Sequence, residues 1–236
     1  MVLAGKGEDG CAVPRIQRLG ELSDVTPSPS SDQFEGLGEA LHGTPVISPG
    51  DLADGKVAER SRMRCLGVVP EGLKRFLVEP GDLIMVRQGA VGRMALVEER
   101  SRGWLYHFAC VRIRPRRELV DPGFLIAYLS HPKVLDQLLA QANVGTVATV
   151  TTRMVAELPV AVPAIAEQRL LAGALGEVDT QMDICRRSLA RLEALRPALI
   201  THMLGGEVPG ERLPVPTTAL EPARRSGRGP RTRRLS

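Results

Sequence analysis

Toward the C-terminal end of the chain, apolar side chains recur at Leu171, Leu175, Val178, Met182, Cys185, Leu189 and Leu192, in steps that alternate four and three. They resume at Leu199 and Met203 after Arg196 interrupts the register. This is a heptad seam, the pattern of a helix that packs lengthwise against another helix. The pattern predicts one helix over 163–204, with Pro163 in its first turn, Gly205 and Gly206 stopping it, and Pro197 kinking it or loosening its last two turns. Such a helix is about 60 Å long at the usual rise per residue. A domain of this size seldom needs that length for its own core, so the helix reads as a ruler or a dimer spine. Cys185 falls within the seam and reads as a small core residue.

Ahead of the helix the pattern is mostly β. Residues 15–25 predict a short strand and turn, 26–32 a loop, and 44–57 a short strand punctuated by Pro, Gly and Asp turns. Residues 66–118 carry the runs LKRFLV, DLIMVR, RMALVEE and YHFACVRIRP, separated by Pro80-Gly81, Gly89 and Gly103. These short apolar or alternating runs predict strands. Residues 122–142 predict two short helices split at His131-Pro132. The Thr-rich stretch 144–153 reads as a β-rich loop, and LPVAVP at 158–163 as a Pro-bounded strand. Residues 1–14 lack periodicity, and 207–236, rich in Pro, Gly and Arg, read as disordered.

Charge changes this picture more than bulk composition does. Of 236 residues, 43% are hydrophobic and 25% charged, as in a globular chain, and the net charge is +4. Residues 220–236 hold six arginines against one glutamate, so the rest of the chain is near neutral. Within that rest, 60–117 hold thirteen Lys or Arg against five Asp or Glu, a balance of +8. A basic middle suggests a surface for a polyanion, or else a scatter of solvated arginines. Aromatics are only 3%, which argues against base stacking as the main mode of contact. The four cysteines, Cys11, Cys65, Cys110 and Cys185, lack zinc-site spacing, so no metal and no cofactor are expected. No signal peptide and no apolar run of about 18 residues is seen, which places the chain in the cytoplasm, away from membranes.

Three segments in this order carry a resemblance: GTPVISPGDLADGKV, then LVEPGDLIMVRQGAVGRMALV, then VGTVATVTTRMVAELPVAVPAIAEQ leading into the long helix. Gly-Asp-Leu-Ile at 81–84, Arg-x-Gly-x-x-Gly at 87–92 and Pro-x-x-x-x-Glu-Gln at 163–168 are modest signals singly and more specific in sequence. Over roughly 15–205 the chain resembles one half of a type I restriction-modification DNA specificity subunit. The resemblance implies a mixed α/β (α+β) fold: a target-recognition domain at 15–162 with a twisted, mostly antiparallel sheet, then a spacer and dimerisation helix at 163–205. It implies double-stranded DNA and a DNA methyltransferase subunit as partners, with or without a restriction subunit. Family members hold two recognition domains and two long helices in one chain, whereas this chain has one of each. That points to a half-subunit that forms a homodimer through the long helix, or to a truncated gene.

Candidate DNA contacts follow from residue chemistry beside this resemblance. Arg87, Gln88, Gly89 and Arg93 lie on a glycine-flanked loop after an apolar strand. Their fork-shaped donors suit guanine and adenine edges, and the bland alternative is a hairpin with solvated arginines. Lys74, Arg75, Arg100 and Arg102, with Trp104 beside them, would hold phosphates. Thr146, Thr149, Thr151 and Arg153 could fix phosphate register through hydroxyls and backbone amides, or simply cap a loop. Trp104 and Tyr106 could instead face a core, the better fate for Tyr106, and His107 shows no obvious partner. The tail adds non-specific attraction.

Catalysis finds no support: there is no phosphate-loop motif, no amino-methyltransferase signature and no Gly-x-Ser-x-Gly elbow. Asp51, Asp54 and Lys56 superficially match the acidic set of a metal-dependent nuclease, but Asp is expected in such a turn-rich segment. The reading is therefore a non-catalytic specificity subunit. The alternative is a coiled-coil adaptor whose globular head binds protein rather than DNA.

Overall fold

A computed structural model describes residues 14–35, 39–58, 65–142 and 147–203. In chain order the elements are β1 (Arg15–Arg18), α1 (Leu19–Leu22), β2 (Ser23–Thr26), α2 (Ser31–Glu35), β3 (Glu39–Ile47), β4 (Leu52–Ala53), β5 (Gly55–Val57) and β6 (Cys65–Leu66). Then come β7 (Leu83–Val86), β8 (Met94–Leu96), β9 (Leu105–Tyr106), β10 (Cys110–Pro115), α3 (Pro122–Leu129), α4 (Pro132–Ala140), α5 (Thr152–Ala156), β11 (Pro159–Val162) and α6 (Ile165–Met203). The expectations placed on the N-terminal residues, on Thr146, on the Gly205-Gly206 stop and on the Arg-rich tail lie outside the described residues.

The centre is a six-stranded sheet in the order β2-β10-β7-β8-β5-β4, mostly antiparallel with one parallel pair, β5–β8. Both faces are covered. Leu83 and Met85 of β7, with Val111 and Ile113 of β10, point into a core shared with α1, α3, α4 and α5. Ile84 and Val86, with Cys110, point the other way into a second core closed by β3, β9 and the turn holding Leu73 and Phe76. Because side chains alternate across a strand, a strand buried on both faces reads as an unbroken apolar run, as LIMV does. A two-stranded pair, β1 with β11, ties the start of the domain to the segment that enters α6.

Four local expectations are corrected. LKRFLV is not a strand: Glu71–Phe76 forms 3-10 turns that bury both Leu73 and Phe76. A spacing of three places them on one side of a 3-10 turn but on opposite faces of a strand. The loop at 26–32 runs into the one-turn helix α2, where Ser30 N–H donates to Gln33 Oε1 at 3.0 Å. The Thr-rich loop ends in α5, capped by Thr151, whose hydroxyl accepts from Met154 N–H at 3.2 Å. Short polar caps of this kind carry little periodicity, so a pattern search passes over them. His107 has partners after all: its Nδ1 accepts from Ala109 N–H at 3.1 Å, and its ring lies 3.9 Å from that of Phe108. Tyr106 is in the core, its hydroxyl donating to Pro27 O, and burial pushes its phenol above the usual range.

The chain divides into two compact units, one ending at Asp183 and one beginning at Ile184, so the boundary falls inside α6. In the first unit the seam residues Leu171, Leu175, Val178 and Met182 are 44–53% exposed. In the second, the helix continues through Pro197 to Met203, Thr201 Oγ1 donates to Pro197 O at 2.9 Å, and Leu189, Leu192 and Leu199 are exposed. Cys185 is exposed too, rather than buried in a core of its own chain.

Candidate nucleic-acid interface

The loop 87–93 is a tight reversal between β7 and β8. Gly92 N–H donates to Val86 O at 3.0 Å and Val86 N–H to Arg93 O at 2.8 Å. Gly89 and Gly92 both have φ +86, a conformation that side chains resist. Their surroundings differ. A Cβ on Gly89 would meet open space, whereas one on Gly92 would stand 2.7 Å from Leu135 Cδ2 of α4. Gly89→Ala is therefore expected to cost only backbone strain, about 1–2 kcal/mol. Gly92→Ala adds the displacement of the end of the half-buried Leu135 side chain and should cost somewhat more, read as the shift in urea midpoint. Equal costs would show that the fit of the loop onto α4 does not matter.

The fold joins this loop to a segment some sixty residues away. Gln88 bridges Thr149 in antiparallel fashion. Gly89 N–H donates to Ala148 O at 3.0 Å, and Val150 N–H donates to Arg87 O at 2.9 Å. The result is one ridge carrying exposed Gln88 and Arg93, half-buried Arg87 and Thr149, and Val147, which is 47% exposed. Arg87 is aimed by its Nε–H, which donates to Phe108 O at 3.1 Å. Beneath it, burial pushes the Cys110 thiol up to about 12, with the Arg87 charge acting against the shift. That thiol is protonated at neutral pH and has no thiolate to offer as a nucleophile. Thr151 caps α5 and Arg153 lies on it, Arg153 pairing with Glu157 at 2.9 Å and Thr149 Oγ1 donating to Val147 O.

The remaining candidates gather about the second core. Val78 N–H donates to Trp104 O, and Gly103 N–H to Val78 O, both at 2.9 Å, which sets 74–78 beside 99–104. Here the cations are largely matched. Lys74 pairs with Glu71 at 2.5 Å and Arg100 with Glu98 at 2.9 Å. Arg102 bridges Glu99 and Glu79, and it holds the Glu99 carboxyl below its usual range. Arg75 lies over the Phe76 ring at 4.7 Å, and Trp104 packs against the core. Arg112, counted in the basic balance, is buried: it donates to Arg75 O, Leu77 O and Thr26 Oγ1. Arg114 makes a bidentate pair with Asp82 at 2.7 Å. These pairs use the five carboxylates already subtracted in the +8 balance; of the cations in excess, Arg112 is buried, while Arg87 and Arg93 stand on the ridge.

The nuclease-like trio is occupied structurally. Asp51 is buried and accepts from Ser48 N–H at 2.8 Å, and Lys56 pairs with Asp183 of α6 at 2.7 Å. Among the described residues, no group of three His, Cys, Asp or Glu could hold a metal ion. No helix among them is long and apolar enough to cross a membrane. Sequence reasoning missed two polar attachments of the long helix: the Lys56–Asp183 pair, and Gln168, a fully buried side chain. Residue type offered no signal for the first. The Glu-Gln of the 163–168 motif was the only hint of the second. Beside these, an apolar groove of about 660 Å³ is lined by Ile16, Tyr128, Val134, Leu171 and Leu175.

Residues 15–194 match the family model of the type I restriction modification DNA specificity domain. The chain belongs to that family. It is 24% identical over 170 residues to the type I restriction enzyme EcoBI specificity subunit of Escherichia coli, spanning 70% of this chain and 36% of that one. Among solved structures, it is similar to a chain described under complex assembly and conformational transition of the type I R-M system, with a TM-score of 0.59 and 23% identity over 84% of this chain and 47% of that one. It is also similar to the HsdS subunit from Thermoanaerobacter tengcongensis, with a TM-score of 0.56 and 20% identity over 85% of this chain and 51% of that one. The specificity domain described here thus spans about half, or less, of the length of these relatives. The mixed α/β fold with a long C-terminal helix agrees with both structures, and family membership does not favour a protein-binding adaptor.

Proposed function

We propose that this specificity domain is a non-catalytic reader of double-stranded DNA that directs a methyltransferase subunit, with or without a restriction subunit, to a short target half-site. The observation that carries the reading is the ridge made of 87–93 and 147–150. A backbone loop open at Gly89, with Gln88, Arg87 and Arg93 as amide and guanidinium donors, has the form of a groove reader. The ion-paired group Lys74, Arg100 and Arg102 suits phosphates less directly, because each must exchange a carboxylate for a phosphate. The exposed seam of α6, which begins in the apolar groove at Leu171 and Leu175, supports pairing with a second copy in the cytoplasm.

The test is the target sequence itself. A good bidentate base contact is worth about 1–3 kcal/mol of discrimination. Arg87→Ala, Gln88→Ala and Arg93→Ala are therefore expected to relax the methylation motif of a host at one position each, rather than lower its extent. Arg102→Ala should leave the motif intact and lower binding evenly across sequences. Sequencing the modified bases in each variant host decides between them. An unchanged motif in all three ridge variants would move base readout away from this loop.

A further inference from the structure

The long helix is attached to the domain by polar contacts at two separated points. Gln168 is the buried side chain of α6, at 0% exposure, and its amide is fully engaged. Its Oε1 accepts from Asp121 N–H at 2.9 Å. Its Nε2 donates to Leu119 O at 3.2 Å and to Pro163 O at 2.9 Å. Asp121 is also the cap of α3, accepting from Gly123 N–H and Phe124 N–H. One turn on, Ala172 packs against the first core. Fifteen residues beyond Gln168, Asp183 takes the ammonium of Lys56, a residue of β5, at 2.7 Å. That hydrogen bond holds Lys56 above its ordinary value, so its ammonium is kept through neutral pH and is lost as pH rises through the raised value.

An apolar contact is non-directional and lets a helix roll or slide, whereas hydrogen bonds fix distance and angle. A buried amide also resists displacement, because every bond it loses leaves a polar group in the core. The two attachments stand about 22 Å apart along the helix. A swing of about 10° about Gln168 would carry Asp183 some 4 Å, enough to part it from Lys56.

We infer that Gln168 and the Lys56–Asp183 pair are positioning residues that fix the direction and rotation of α6 on the recognition domain, and thereby set the separation of the two half-sites that a helix-paired dimer reads. The inference rests on the DNA-reading proposal above. In a symmetric reader, half-site spacing follows from the geometry between the recognition elements. The clamp is distinct from the seam: the seam decides whether two copies pair, and the clamp decides where each domain then stands.

Two measurements on the full chain test it. The first reads the distance between nitroxide-bearing non-natural residues at Asp136 on α4 and Gln181 on α6. Lys56→Glu is expected to broaden this distribution, and the charge swap Lys56→Glu with Asp183→Lys to narrow it again. The second presents DNA carrying two copies of the chain's selected half-site, at separations varied base pair by base pair. The unmodified chain is expected to prefer one separation. Lys56→Glu and Gln168→Met should lose that preference while selecting the same half-site, and the charge swap should regain it. Lys56→Glu alters an exposed pair that adds little to stability, so it keeps the test sharp should Gln168→Met fail to fold. An unchanged distance distribution, or an unchanged spacing preference despite a broadened one, overturns the inference. A chain that selects no half-site overturns the DNA-reading proposal and the spacing role with it. The distance measurement alone then decides the clamp.

Discussion

Replacing Leu175 and Met182 together by Asp is expected to abolish the proposed helix pairing and leave a monomer whose recognition domain is still folded. Both side chains are exposed in the single chain, at 44% and 47%, so the domain's own core does not depend on them. In a helix pair they would sit in the seam. Fully burying such a side chain is worth about 1.5–3 kcal/mol, so covering the exposed half of four of them contributes about 3–6 kcal/mol per dimer. Losing that weakens association by about two to four decades, before the cost of placing carboxylates in the seam is added. Light scattering across a dilution series reads the effect, with thermal unfolding of the same samples as the control for folding. An unmodified protein that is monomeric at high concentration, with no other chain present, would count against self-association.

The second large effect is expected inside the domain. Asp82 is 2% exposed and accepts three hydrogen bonds, from Glu79 N–H at 2.8 Å and from Arg114 Nε and Nη2 at 2.7 Å each. The buried Arg112 lies beside it, with Nε 4.0 Å from Oδ2. Asp82→Ala removes the carboxylate that, among the described residues, pairs with both guanidiniums, and leaves Arg112 buried without that partner. Breaking a buried pair in this way costs about 3–5 kcal/mol. Arg114 is partly solvated, which places the expected value at the lower end. Asp82→Asn should cost less, since it keeps an acceptor for Glu79 N–H. Urea unfolding followed by circular dichroism measures both. A cost below about 1 kcal/mol for Asp82→Ala would show that the cluster is solvated in solution, because exposed pairs are worth no more than that.

The same cluster shows where sequence reading stops. In RIRP the two arginines look alike, two residues apart on one strand, and both were counted toward a polyanion surface. Arg112 instead points into the second core and satisfies carbonyls of the 75–77 turn, while Arg114 reaches the carboxylate of Asp82. The difference depends on which strand lies next to β10 and on what closes that face. Neither is written in the local pattern. The join of Gln88 to Thr149 has the same origin, and so does the meeting of Lys56 with Asp183 across 127 positions of chain.

Read alone, the chain determined whatever depends on the periodicity of near neighbours. The heptad steps from Leu171 to Leu192 announced α6, and the apolar run LIMV announced a strand. Pro132 marked the division between α3 and α4, because a proline fits a first helical turn and not the interior of one helix. The order of the Gly-Asp-Leu-Ile, Arg-x-Gly-x-x-Gly and Glu-Gln motifs pointed to the family. The tertiary structure decided which cations are paired or buried, that the glycine loop and the threonine segment form one ridge, and that a glutamine of the long helix is buried against the domain. The physical reason is that periodicity reports which side of an element is apolar. A hydrogen bond or ion pair between distant residues depends on the packing of every element between them, and no single segment encodes that.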